Sequence, residues 1–324
     1  MPNPNPPNFV GTLTADIPNR RGTLTFNQIL QIANNFYFNE LTFTNVAAVV
    51  APPARPARFD FDGDHASDIA LFRPSDGNWY YSASSTGGAR AVHFGQAGDI
   101  PVAADFDGDG VTDPAVFRNG QWFVLGSTAG FSSLSFGLAT DIPQVGDYDG
   151  DGKADFAVYR QSNGSWYIMG SATGFRAVQF GISTDIPVAA DFDGDGKTDP
   201  AVYRNGTWYI NGSTAGFSGV QFGIAGDKPV EADYDGDGKA DVAVYRGGTW
   251  YIMGSTTGFR AVQFGNATDT PVPADYDGDG KTDIGVYRSS NTNWYILNSS
   301  QAGNAVGGFT SKQFGSAGDM LMAY

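Results

Sequence analysis

A nine-residue acidic segment, "DFDGDGKTD" at residues 191–199, constrains this chain more than any other feature, because it recurs in phase along the sequence. Its copies begin at Asp60, Asp105, Asp147, Asp191, Asp233 and Asp275, with spacings of 45, 42, 44, 42 and 42 residues. A fixed period near 42 defines a repeat architecture, in which each unit buries its apolar face against its neighbours. Other residues keep the phase. An arginine stands 13 residues after each start, at Arg73, Arg118, Arg160, Arg204, Arg246 and Arg288. All six tryptophans follow at 17 or 19 residues: Trp79, Trp122, Trp166, Trp208, Trp250 and Trp294. A Phe-Gly pair closes each unit, from Phe94-Gly95 to Phe314-Gly315.

Within a unit the pattern is β. Residues 187–223 contain "PVAADF", "PAVYR", "TWYIN" and "GVQFG", short runs rich in Val, Tyr, Trp, Phe and Ile, separated by Gly, Asn, Asp and Ser. Four short antiparallel strands per unit predict the blade of an all-β propeller. A further aspartate precedes five of the loops by six residues, at Asp99, Asp141, Asp185, Asp227 and Asp269, and Asp319 is next in phase. The final "DMLMAY" therefore reads as the first strand of a seventh unit. The N-terminal segment, residues 1–50, offers three strand candidates, "FVGTLTA", "GTLTFNQIL" and "YFNELTFTNVAAVV", although "FNQILQIANNF" also fits a short helix. The expectation is a seven-bladed propeller: six repeats over residues 51–324 and a seventh blade shared between the termini. The alternative is six blades with an N-terminal extension.

Each loop places carboxylates at positions 1, 3, 5 and 9. The candidate metal ligands are Asp60, Asp62, Asp64 and Asp68; Asp105, Asp107, Asp109 and Asp113; Asp147, Asp149, Asp151 and Asp155; Asp191, Asp193, Asp195 and Asp199; Asp233, Asp235, Asp237 and Asp241; and Asp275, Asp277, Asp279 and Asp283. Oxygens at alternate positions converge if the chain turns sharply, and the glycines at positions 4 and 6 permit that turn. Hard oxygen donors in this number suit Ca²⁺ better than Mg²⁺, which holds fewer protein ligands in stricter geometry. Six Ca²⁺ ions would take the formal charge from −15 to about −3. The first loop, "DFDGDHASD", carries His65 where the others have Gly, so its site is expected to be the weakest. The aromatic residue at position 2 is expected to anchor the loop to the core.

These loops, the Phe-Gly pairs and the blade-length period resemble the FG-GAP/VCBS repeat family, which includes the integrin alpha-subunit propeller. The resemblance spans residues 56–324. It implies a β-propeller with calcium in the loop between the first two strands of a blade. It does not fix a function, since such folds serve adhesion, carbohydrate binding and scaffolding.

Composition narrows the function classes. With no Cys, thiolate chemistry and disulfides are excluded. A net charge of −15 argues against nucleic acid. No apolar run reaches the length of a transmembrane helix, and "MPNPNPPNFV" lacks the basic and apolar regions of a signal peptide. Two His and two Glu offer little acid–base chemistry, and no nucleophile elbow or phosphate loop appears, so an enzyme is not expected. The phased arginines are expected to pair with aspartates of the Asp99 type, and the tryptophans to pack in the core. The functional expectation is a calcium-binding, non-enzymatic propeller, extracellular or at a bacterial cell surface. It would act as a structural or adhesive subunit that self-assembles into a filament, tube or surface layer. The alternative is a lectin-like carbohydrate-binding module. Expected partners are further copies of the chain, carbohydrate or a surface protein.

Overall fold

The computed structural model describes residues 58–301 and 308–322. Six four-stranded antiparallel sheets form the blades. Blade four shows how the sequence builds one: Ile186–Ala190, Asp199–Arg204, Thr207–Gly212 and Gly216–Gln221, in that spatial order. These are the four apolar runs read from the sequence. Blades two, three, five and six open with Ile100–Pro101, Ile142–Pro143, Lys228–Pro229 and Thr270–Pro271. The fourth strands face solvent, whereas the second strands are nearly wholly buried. Among the described residues no helix is long and apolar enough to cross a membrane.

The phased residues each have a packing role. The tryptophans are at most 3% exposed. Each indole N–H donates to the carbonyl of the Phe in the Phe-Gly pair, from Trp79 to Phe94 (2.8 Å) through Trp294 to Phe314 (3.1 Å). A buried indole needs such an acceptor, which explains why the two signals travel together. The Gly that follows adopts φ between +108° and +144° in all six repeats, and a Cβ there would strike the second strand, as at Gly181, 2.5 Å from the Tyr159 hydroxyl. Apolar clusters run across the seams. Val116 of blade two packs with Phe72 and Trp79 of blade one, and Ile69 of blade one with Tyr287 and Trp294 of blade six.

The phased arginines are clamped. Arg118 donates through Nε and Nη2 to Asp99 at 2.5 and 2.7 Å, and Arg160 meets Asp141 at 2.9 and 2.8 Å. Arg204–Asp185, Arg246–Asp227 and Arg288–Asp269 repeat the two-pronged contact. Each of these carboxylates is almost wholly buried, and each guanidinium lies 4.2–4.7 Å from the centre of an aromatic ring on the next strand. The Asp also accepts the amide of the residue after the Phe-Gly pair, as Asp141 does from Leu138. It thus fixes the turn into the next blade.

The expectation of a seventh blade is not supported. Met320–Leu321 pairs antiparallel with Leu71 and Phe72, so "DMLMAY" supplies the first strand of blade one, ahead of Ile69–Arg73, Asn78–Ser82 and Ala89–His93. Blade one has no phased aspartate of its own, because residue 54 is Ala. Asp319 takes that place and clamps Arg73 at 2.7 and 2.9 Å. The ring also closes directly: the Ser67 amide donates to the Asp275 carbonyl at 2.6 Å, which joins blade one to blade six with nothing between. The three N-terminal strand candidates and the alternative helix lie outside the described residues.

Replacing Asp319 by Ala strands a guanidinium and opens the closing turn. It should destabilise the fold by about 2–3 kcal/mol, read as a lower melting temperature. Deleting residues 319–324 should cost more, since the buried Met322 is lost as well. Unchanged melting in both variants would contradict this closure.

Candidate metal centres in the blade loops

The loop of blade two shows how four carboxylates share nine residues. Asp105, at position 1, accepts amides from its own loop: Oδ1 from Gly108 (2.6 Å) and Asp109 (3.2 Å), Oδ2 from Gly110 (2.8 Å). The turn requires positive φ at positions 4 and 6, where Gly108 has +81° and Gly110 +88°. In blade one, position 6 is His65 at φ +71°, a left-handed conformation that a side chain disfavours. Asp113, at position 9, is fully buried and accepts amides from Phe106 and Ser127. Asp107, at position 3, turns Oδ2 toward the second hairpin and accepts from the Thr128 amide (2.9 Å), the Thr128 hydroxyl (2.9 Å) and the Ala129 amide (2.8 Å). Its other oxygen, Oδ1, is buried with no hydrogen-bond partner.

That orphaned oxygen recurs at Asp62, Asp149, Asp235 and Asp277. Carboxylate oxygens at positions 1, 3 and 9 lie within 4.8 Å of one another in Asp60, Asp62 and Asp68; Asp105, Asp107 and Asp113; Asp147, Asp149 and Asp155; Asp191, Asp193 and Asp199; and Asp233, Asp235 and Asp241. Asp275, Asp277 and Asp283 of blade six repeat the hydrogen bonds of the other loops. These Asp-rich groups can hold metal ions. The position-5 carboxylates have a further contact. Asp64, Asp109, Asp151, Asp195, Asp237 and Asp279 each accept a serine hydroxyl, from Ser84, Ser127, Ser171, Ser213, Ser255 and Ser299. They brace the loop against the hairpin. The sequence reading missed these serines, although "GSTAG", "GSATG" and "GSTTG" recur in phase and carried the signal. The position-2 aromatics anchor as expected: Phe61, Tyr148 and Tyr234 are buried, and Tyr234 donates its hydroxyl to the Val230 carbonyl at 2.6 Å.

Electrostatics follows from this crowding. Burial, reinforced by neighbouring aspartates, pushes Asp113, Asp199 and Asp241 up to about 6 and Asp283 up to about 7, against the pull of two backbone amides each. Asp107, Asp149 and Asp235 are held below the usual range. Burial alone would raise them, but the hairpin amides and hydroxyls overcome it. The position-3 group is therefore ionised at neutral pH with one oxygen bare in the interior. Without a cation the position-9 carboxyl takes up a proton more readily than an ordinary aspartate, which relieves part of the repulsion as the pH falls below neutral.

The loops also bind the blades into a ring. The position-8 amide of each loop donates to the position-1 carbonyl of the preceding loop: Thr112 to Asp60, Ala154 to Asp105, Thr198 to Asp147, Ala240 to Asp191, Thr282 to Asp233 and Ser67 to Asp275, all at 2.6–2.7 Å. The position-7 side chain follows it across the seam, so that Lys153, Lys197, Lys239 and Lys281 lie over Gly108, Gly150, Gly194 and Gly236.

A six-bladed β-propeller with an acidic loop in every blade is the class of protein that fold and site define. The chain carries FG-GAP-like repeats, matched over residues 147–202 and 233–286. No curated protein matches the chain. Among solved structures, an Agrocybe aegerita lectin that recognises non-reducing terminal N-acetylglucosamine superposes with a TM-score of 0.50 at 17% identity, over 77% of each chain. A streptogramin B lyase gives a TM-score of 0.50 at 9% identity, over 82% of this chain and 90% of that one. At such identities the likeness is one of fold.

A pH dependence follows for the metal-free protein. A carboxyl raised in the folded state favours the protonated fold, so its stabilising contribution is present at low pH and lost as pH rises through the folded value. Melting in chelator should therefore become easier between about pH 5 and pH 7, the window set by position-9 values of about 6 to 7. Melting that becomes harder over this window would contradict the assignment.

Proposed function

We propose that this protein is a calcium-stabilised propeller that binds or assembles and does not catalyse. One observation carries the metal reading: in five loops a position-3 carboxylate oxygen is buried without a hydrogen-bond partner, where blade four offers Asp193 only a long contact of 3.3 Å from the Asp195 amide. Leaving such a group unpaired is costly, and a dication satisfies all three carboxylates of a loop together. All-oxygen donors favour Ca²⁺, and sites of this kind fill at the millimolar calcium found outside cells, so we assign the protein to an extracellular or cell-surface setting. A non-catalytic role is supported by six of the eight aspartates outside the loops, since Asp99, Asp141, Asp185, Asp227, Asp269 and Asp319 are spent on arginine clamps.

Repetition of surface supports a structural or adhesive subunit that contacts further copies of itself. Phe131, Phe175, Phe217, Phe259 and Phe309 stand 48–66% exposed at equivalent seams, each edge-on to the Phe-Gly phenylalanine of the preceding blade. With metal bound, a residual charge of about −3 leaves little long-range repulsion between copies.

Calcium should raise the melting temperature, each site contributing at most about 2.7 kcal/mol at 100 times its Kd. Asp235→Asn should leave the metal-free protein as stable or more so, and should remove one site's share of the calcium effect. Identical melting curves in calcium and in chelator would end the metal reading. Light scattering at high protein concentration tests assembly separately: growth with calcium supports it, and monomers in every condition rule it out.

A further inference from the structure

The seam between blades four and five is marked by a charged residue on the first strand of blade five, Lys228. A cavity of about 330 Å³ opens there, at the clamp end of the propeller. Thr184, Ile186, Tyr203, Arg204, Asn205 and Lys228 line it, together with the clamped carboxylate Asp227. Where blade five places Lys228, the other first strands carry Ile100, Ile142, Ile186, Thr270 and Met320, none of them charged. The local charge balance is simple. Arg204 cancels Asp185 and Arg246 cancels Asp227, which leaves the Lys228 ammonium uncompensated. Among the described residues no hydrogen bond or ion pair engages the Lys228 ammonium or the side-chain amide of Asn205. Arg204 spends Nε and Nη2 on Asp185, and its Nη1 is uncommitted. The acidic loop of blade five lies at the other end of the first strand, roughly 16 Å away, about two screening lengths at physiological ionic strength. Salt therefore weakens its negative field at the cavity.

We propose that this cavity binds a small carboxylate-bearing, hydroxyl-rich ligand of the uronic acid class. Lys228 and the Arg204 Nη1 take the carboxylate. Thr184 and the Asn205 amide serve the ring hydroxyls, and Ile186 and Tyr203 supply the apolar wall that a sugar ring covers. The volume sits at the lower end of the range of small-molecule sites. A ligand site breaks the symmetry of a repeat, which structural residues have no reason to do. The assignment goes beyond the structural role proposed above and does not depend on which metal fills the loops.

Full-length protein, held in calcium, is titrated calorimetrically with D-glucuronate and with D-glucose. Saturable glucuronate binding is expected, at least tenfold tighter than glucose. Lys228→Ile, which installs the residue of three other blades, should weaken glucuronate at least tenfold with melting unchanged. Lys228→Met, after Met320 of blade one, serves as a second variant if the first folds poorly. Absence of saturable glucuronate binding, equal binding of glucose, or full binding by a folded Lys228 variant would overturn the proposal.

Discussion

The ring of six backbone hydrogen bonds between successive acidic loops is the constraint on which the rest of this structure depends. Each bond uses the carbonyl of a position-1 aspartate whose carboxylate is already committed to amides of its own loop, as Asp105 is to those of Gly108, Asp109 and Gly110 and Asp191 to those of Gly194 and Gly196. One residue therefore sets both the turn of its loop and the spacing to the next blade. Crowding of four carboxylates follows, because the turn that frees the amides also draws positions 3 and 9 inward. Loop shape, blade spacing and cation site are three readings of one backbone arrangement.

A second ring, of aspartate–arginine clamps, ties the other end of each blade. The two differ in how they treat charge. In the clamps every buried carboxylate has its guanidinium, and the fixed fork of arginine satisfies both oxygens at once. In the loops the carboxylates crowd one another, and four lysines lie over the neighbouring glycines. One end is electrically complete, while the other gathers carboxylates in groups that can hold a cation.

Much of this was legible in the sequence. Phasing exposed the six repeats, the arginine–aspartate pairing and the tryptophan core, because each is a local rule copied many times. Blade number was not legible in the same way. "DMLMAY" looks like any other first strand, and nothing local says which sheet edge it joins. The deciding facts are long-range, namely the missing aspartate at residue 54 and the pairing of Asp319 with Arg73 across 246 positions. The serines that brace position 5 were hidden for another reason: "GSTAG" has the composition of an ordinary turn, and its role shows only when two hairpins are brought side by side. Lys228 stood in the sequence as a single departure from pattern, but its meaning required the cavity beside it.

The same long-range closure has a consequence in time. Blade one is made of strands from opposite ends of the described chain, so Ile69–Arg73 keeps an open edge until Met320 and Leu321 arrive. At roughly 5–20 residues per second of synthesis, the wait is on the order of tens of seconds. Throughout it the nascent protein presents an unpaired strand of apolar sequence, "IALFR", as a template for other chains. The five inner seams form in order from neighbours, whereas the last seam is a non-local event that must wait for the final strand. A propeller latched this way is most exposed to misassociation just before it is finished.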